Sequence, residues 1–287
     1  MIKQNTRRRF IGQSAASAFA LTSTPFWMSS KPIRIPEIDP ENRAIGPEFP
    51  SQSAEDVRTV VGASHTQFDK VKELVTARPE LAKAAWDWGF GDWESALGAA
   101  SHMGRRDIAE FLIAHGARPN IYTFAMLGNL AAVKGMVETM PGVQRIHGPH
   151  GFPLLHHAQI RLRYDDVSPQ EKANVEAVID YLKSLGDADN RATSLDISEE
   201  EQKMYMGSYT FGDLPDEVFL IDLNRRGMLY MSRGENIGRV LNRVAENAFA
   251  PSGAPSVRIN FDMKDGQAVA LTIHDPDPLV KALRVEG

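Results

Sequence analysis

Ala63-Ser64-His65 and Ala100-Ser101-His102 are the same three residues in the same order, and a turn and a helical stretch follow each. After the first comes Phe68-Asp69-Lys70-Val71-Lys72-Glu73-Leu74-Val75. After the second comes Arg106-Asp107-Ile108-Ala109-Glu110-Phe111-Leu112-Ile113, and a third helical copy is Leu130-Ala131-Ala132-Val133-Lys134-Gly135-Met136-Val137. The opening turns fall at Thr66, Gly104 and Gly128. The apolar pairs Leu74-Val75, Leu112-Ile113 and Met136-Val137 stand at one fixed distance beyond them. A helix burying a single stripe against its neighbour needs that spacing. The middle of the chain therefore reads as repeated helix–turn–helix units, and a repeat, where present, governs the fold.

Around these units the strings become more specific. Ser95-Ala96-Leu97-Gly98-Ala99-Ala100 stands where the ankyrin pattern has T-P-L-H-x-A, and Leu112-Ile113-Ala114-His115-Gly116-Ala117 matches its L-L-x-x-G-A ending. A fourth unit opens at Gly151-Phe152-Pro153-Leu154-Leu155, and Ser168-Pro169-Gln170-Glu171 starts its second helix as a capping box with proline at the first helical position. Residues 54–190 thus resemble ankyrin repeats. With Asp87-Trp88-Gly89-Phe90-Gly91-Asp92 and Gly148-Pro149-His150-Gly151, the chain is similar to a group of exported bacterial ankyrin proteins. The resemblance implies an α+β fold: an amino-terminal ankyrin-repeat helical stack of about four repeats, the third shortened, then a small antiparallel β-sheet or half-barrel.

The shortening is visible in the turns. Gly104 to Gly128 is a much shorter step than Thr66 to Gly104, and an ankyrin unit is about 33 residues. The third repeat has no room for its projecting hairpin, so a notch on the order of 10 Å wide is expected between the second and fourth hairpins. Its expected walls carry Trp88, Phe90, Asp92, Trp93, His147 and His150, taken here as the candidate binding residues. Aromatic anchors suit such a role, while the same rings equally lock a hairpin onto its neighbours. His147, His150, His156 and His157 invite a metal reading, with Asp87, Asp92 or Glu94 to complete a shell. Structural hydrogen bonding is the plainer role for them, and neither metal nor cofactor is expected. No S-x-x-K, G-x-S-x-G, H-E-x-x-H or P-loop string occurs, so no catalytic residue is assigned.

After Ser198-Glu199-Glu200-Glu201, another capping box, the apolar period changes from helical to alternating. Strands are expected at 207–209, 218–223, 228–233, 239–241, 256–261, 268–274 and 279–285, with hairpin turns at Asn224-Arg225-Arg226-Gly227 and Lys264-Asp265-Gly266-Gln267. Tyr205-x-Gly207-x-Tyr209 opening this series resembles the small β-domain appended to some secreted β-lactamase-like hydrolases. A plain packed core is the expected content of this region.

The amino terminus differs from the rest. Thr6-Arg7-Arg8-Arg9-Phe10-Ile11 resembles a twin-arginine transport signal, with Arg7 and Arg8 as its core, a modest apolar stretch and an Ala18-Phe19-Ala20 cleavage pattern. Residues 1–20 are read as that signal, cleaved rather than kept as an anchor. Residues 21–53 form a Pro-rich linker, 54–190 the ankyrin-repeat domain and 198–287 the β-domain. The expected location is periplasmic or otherwise exported, which the absence of cysteine permits.

The net charge of −5 excludes a basic field for nucleic acid, and no apolar run reaches the ~18 residues of a membrane span. The expected function is a non-enzymatic protein-binding or scaffold protein of the cell envelope. Its partner is an unknown envelope protein, with no nucleic acid and no stable membrane insertion after signal cleavage. The alternative is a small-molecule-binding protein or enzyme with its site at the notch or in the β-domain.

Overall fold

Ser53, Ser95, Asn120, Asn129, Ser168 and Ser198 each turn a side-chain oxygen onto a free backbone N–H, and a helix starts behind each. In the computed structural model, which describes residues 48–191, 193–234 and 238–285, these helices are α1 (Ala54–Ala63), α3 (Ala96–His102), α5 (Ile121–Met126), α6 (Leu130–Thr139), α8 (Pro169–Leu185) and α9 (Glu199–Tyr205). Three more, α2 (Phe68–Ala77), α4 (Arg106–Ala114) and α7 (Leu154–Arg161), lack a side-chain cap. Helices α1 and α2, α3 and α4, α5 and α6, and α7 and α8 pack as pairs. Between α2 and α3 stands a two-stranded ribbon, β1 (Ala85–Asp87) and β2 (Trp93–Ser95). The signal residues Arg7 and Arg8, and the linker before residue 48, lie outside the described residues.

Eight further strands follow: β3 (Gly207–Thr210), β4 (Val218–Leu223), β5 (Leu229–Arg233), β6 (Arg239–Ala245), β7 (Ala248–Pro251), β8 (Arg258–Lys264), β9 (Gln267–Asp275) and β10 (Asp277–Arg284). They close into an antiparallel barrel in which β10 pairs with both β3 and β9. Alternation does the sorting. Ile259 and Phe261 of β8, and Leu271 and Ile273 of β9, point inward. Tyr205 at the end of α9 joins Tyr209, Phe249 and Phe261 in an edge-on aromatic cluster. Eight strands leave an interior that side chains fill. Among the described residues no helix is long and apolar enough to cross a membrane.

Two features of the expected fold are corrected. The β-region is a closed eight-stranded barrel, not an open sheet or half-barrel. The strand that the alternation missed is β7, Ala248-Phe249-Ala250-Pro251. It is only four residues long, with alanine on either side of its one large apolar residue, so it carries too little pattern to read. Yet it bridges β6 and β8 and thereby completes the closure. The helical region is not a regular ankyrin-repeat stack. Stacked repeats bury one continuous core, whereas these helices bury two: one built on α1 to α4 with Met126 of α5, the other on α5 to α8. Only one hairpin forms among the described helical residues. Where the fourth finger is expected, Pro149–Gly151 is a single 3-10 turn. The described residues make one compact unit.

Candidate metal centre

The two Ala-Ser-His triplets meet in space. Ser64 Oγ donates to Val60 O at 2.7 Å and Ser101 Oγ donates to Leu97 O at 2.6 Å, so each serine folds back on its own helix. The histidine behind each serine then projects from the same end of its helix, His65 just beyond α1 and His102 at the end of α3. Helices α1 and α3 pack together, and the rings of His65 and His102 lie edge to face at 4.9 Å.

The ribbon supplies the carboxylate. Trp86 pairs with Glu94 and Asp87 with Trp93. With side chains alternating, Glu94 faces inward and is 1 % exposed while Trp93 faces outward and is 64 % exposed. Trp88, two residues beyond Trp86, covers the inner face, and its Nε1 donates to Glu94 Oε2 at 2.8 Å.

The third imidazole comes from the turn at Pro149–Gly151. His150 sits there in the left-handed region, at φ 59°, a conformation that costs a non-glycine residue on the order of 1 kcal/mol and clusters at functional sites. Asp92 holds it there. Its Oδ1 accepts from the His150 backbone N–H at 2.9 Å and its Oδ2 from Nδ1 at 2.7 Å. Arg239 of β6 donates to the same Oδ2.

Three Nε2 atoms converge on one carboxylate. His102 Nε2 lies 2.9 Å from Glu94 Oε1, His150 Nε2 3.4 Å from the same oxygen, and His65 Nε2 3.4 Å from Oε2. One ligand atom from each of His65, Glu94, His102 and His150 falls within 4.8 Å of all the others. The Nδ1–H groups of two rings are engaged behind the site, His65 to Gly62 O at 3.0 Å and His150 to Asp92. In His65 that fixes the tautomer whose Nε2 lone pair faces the centre, and in His150 it turns Nε2 to the centre, where an ion would displace its proton; outer partners orient metal-bound histidines in this way. Despite the short distance, His102 Nε2 and Glu94 Oε1 are not aligned as donor and acceptor. Both, with His102 Nδ1, are buried without a hydrogen-bond partner. An orphaned buried polar atom costs about 1–3 kcal/mol, more when charged.

The protons follow the surroundings. Burial would raise the Glu94 carboxyl, but the His102 and His150 rings outweigh it and hold it far below the usual carboxylate range. Burial also raises Asp92, and His150 and Arg239 pull it below its ordinary value. Burial lowers His150, and the Asp92 and Glu94 carboxylates beside it override that, pushing the ring up to about 9. For His102 burial prevails over Glu94 and the shift is downward.

Of the six residues proposed from sequence, Asp92, Trp88 and His150 belong to this cluster. Phe90 packs against the barrel core. Trp93 and His147 line a cleft of about 580 Å³ over Asn120 and Tyr122, where the notch was expected. Beside that cleft the ribbon and the turn touch, through Asp92 and His150. His147 Nε2 donates to Asn190 O at 2.7 Å, and His156 and His157 bond to His102 O and Pro153 O, the backbone role expected of them. His65 and His102 were quoted only as a sign of repetition. The triplet read as a repeat was also the signal for two members of the cluster.

No family model, no curated protein and no solved structure matches the chain.

Proposed function

We propose that the protein binds one divalent transition-metal ion of the zinc class through His65, His102, His150 and Glu94. The carrying observation is the convergence of three imidazole Nε2 atoms on a buried carboxylate whose oxygen, with the His102 ring, has no hydrogen-bond partner. Three nitrogens and one oxygen, with no sulfur, suit zinc and its neighbours. Four protein ligands make the closed kind of shell that holds an ion rather than turning over a substrate. The reading is therefore of a non-enzymatic, metal-stabilised binding protein.

The test is a calorimetric titration of zinc into protein stripped with a chelator. One equivalent is expected, with at least a 10-fold loss of affinity for His65→Ala and for Glu94→Gln, and no loss for His147→Ala. Equal uptake by the wild type and the two ligand variants would overturn the proposal.

A second reading is supported by Trp93, whose exposed indole borders the notch cleft. It keeps the expectation of an envelope protein partner docking there. Export itself is proposed from the Thr6–Ile11 string. Lysine at both Arg7 and Arg8 should retain a folded fusion in the cytoplasm, and unchanged export would rule the signal out.

A further inference from the structure

Beside the metal centre, and sharing His150 with it, a cleft of about 770 Å³ separates the turn after Gly148 from the outer face of the barrel. Such a volume suits a small organic molecule. Its charge is one-sided. Arg191 follows α8, Arg226 sits on the turn between β4 and β5, and Arg258 opens β8. Three separate segments thus bring arginines to one cleft, and among the described residues no aspartate or glutamate lines it. In a chain of net charge −5, that local excess runs against the overall field.

Two of the cations are available. Among the described residues Arg258 bonds only backbone carbonyls, those of Pro255 and Val257. Arg226 forms no ion pair among the described residues, while Arg191 is shared with Asp189 at 3.1 Å. Between the arginines the floor is mostly apolar, with Asn242 bonded to Ser252 as its polar member. On β6, Leu241 turns into the barrel core and Val240 and Val244 turn the other way, into the cleft, opposite Phe152. A guanidinium rim over an apolar floor recognises a molecule with an anionic head and a hydrocarbon body.

We propose that this cleft binds a single-tailed organic anion, with a carboxylate or phosphate head at its guanidinium rim and an apolar tail lying along Val240, Val244 and Phe152. Nothing in this binding passes through the metal ion, so it holds whether or not the His65–His150 cluster is loaded.

The probe is anilinonaphthalene sulfonate, an anion with an apolar body, titrated by fluorescence into the full chain both zinc-loaded and chelator-treated. Decanoate and decyl phosphate serve as competitors, and decyltrimethylammonium is the control of opposite charge. One saturable site is expected, with displacement by at least one of the two anions. The same affinity within 2-fold is expected in both metal states, weakening as salt is added. Arg226→Ala with Arg258→Ala should weaken it at least 10-fold without moving the melting temperature, since both side chains are exposed. Val244→Asp should abolish it. Unchanged affinity in the double variant would overturn the proposal, as would displacement by the cation as readily as by the anions. Failure of zinc to bind would leave these outcomes intact.

Discussion

His150 and His157 lie close in sequence and hold their protons in opposite ways. His150 has two carboxylates beside it and is pushed up to about 9. His157 is wholly enclosed, with only the Pro153 carbonyl on its Nδ1, and burial drives it down to about 3. The consequence for stability has a definite sign. In the folded chain His157 stays neutral, while in the unfolded chain it takes a proton near its ordinary value of about 6.5. Its contribution is complete above pH 6.5 and is lost as pH falls toward 3, by up to about 1.4 kcal/mol per pH unit. Asparagine can place an amide N–H where Nδ1–H stands. His157→Asn should therefore flatten the fall of unfolding free energy between pH 6.5 and 5, measured by urea titration at each pH. A slope equal to the wild type's would show that the ring is protonated in the fold.

At the scale of the element, the ribbon of β1 and β2 decides what each tryptophan does. Alternation sends Trp93 outward and Glu94 inward, and Trp88 bonds the buried carboxylate. Trp88→Ala should cost about 2–3 kcal/mol, less than the ~3–5 of a fully enclosed ring. Trp93→Ala should stay within about 0.5 kcal/mol of the wild type. Chemical denaturation distinguishes them, and equal losses would mean that the ribbon is turned over. The inward face of Glu94 was within reach of the sequence, since a strand alternates. That β2 is a strand at all rested on two short runs around Gly89-Phe90-Gly91. The helices were legible because their apolar stripes recur at fixed spacing and their caps are chemically distinct. The meeting of His65 with His102 was not. Each is local to one helix end, and only the packing of α1 on α3 brings them together. His150 was singled out for its neighbours, but its left-handed backbone and its grip by Asp92 depend on a partner far along the chain. Barrel closure turned on four residues with one large side chain, below what alternation can mark.

At the scale of the whole molecule, one carboxylate ties the parts together. Asp92, on the ribbon, holds His150 from the turn before α7 and accepts from Arg239 of the barrel. Gly253, between β7 and β8, closes over this pair. A Cβ there would lie 2.6 Å from Asp92 Cγ and 2.8 Å from an Arg239 nitrogen, and its φ of +83° is itself a glycine conformation. The cluster thus lies where helices, ribbon and barrel meet. An ion bound there stabilises only the folded chain, by about 2.7 kcal/mol at 100 times its dissociation constant. The most direct measurement is zinc-edge X-ray absorption on the chain loaded with one equivalent. Three imidazoles and one carboxylate oxygen at about 2.0–2.1 Å, with no sulfur, are expected. A spectrum of fully hydrated zinc, or one unchanged by His65→Ala and Glu94→Gln, would contradict the account.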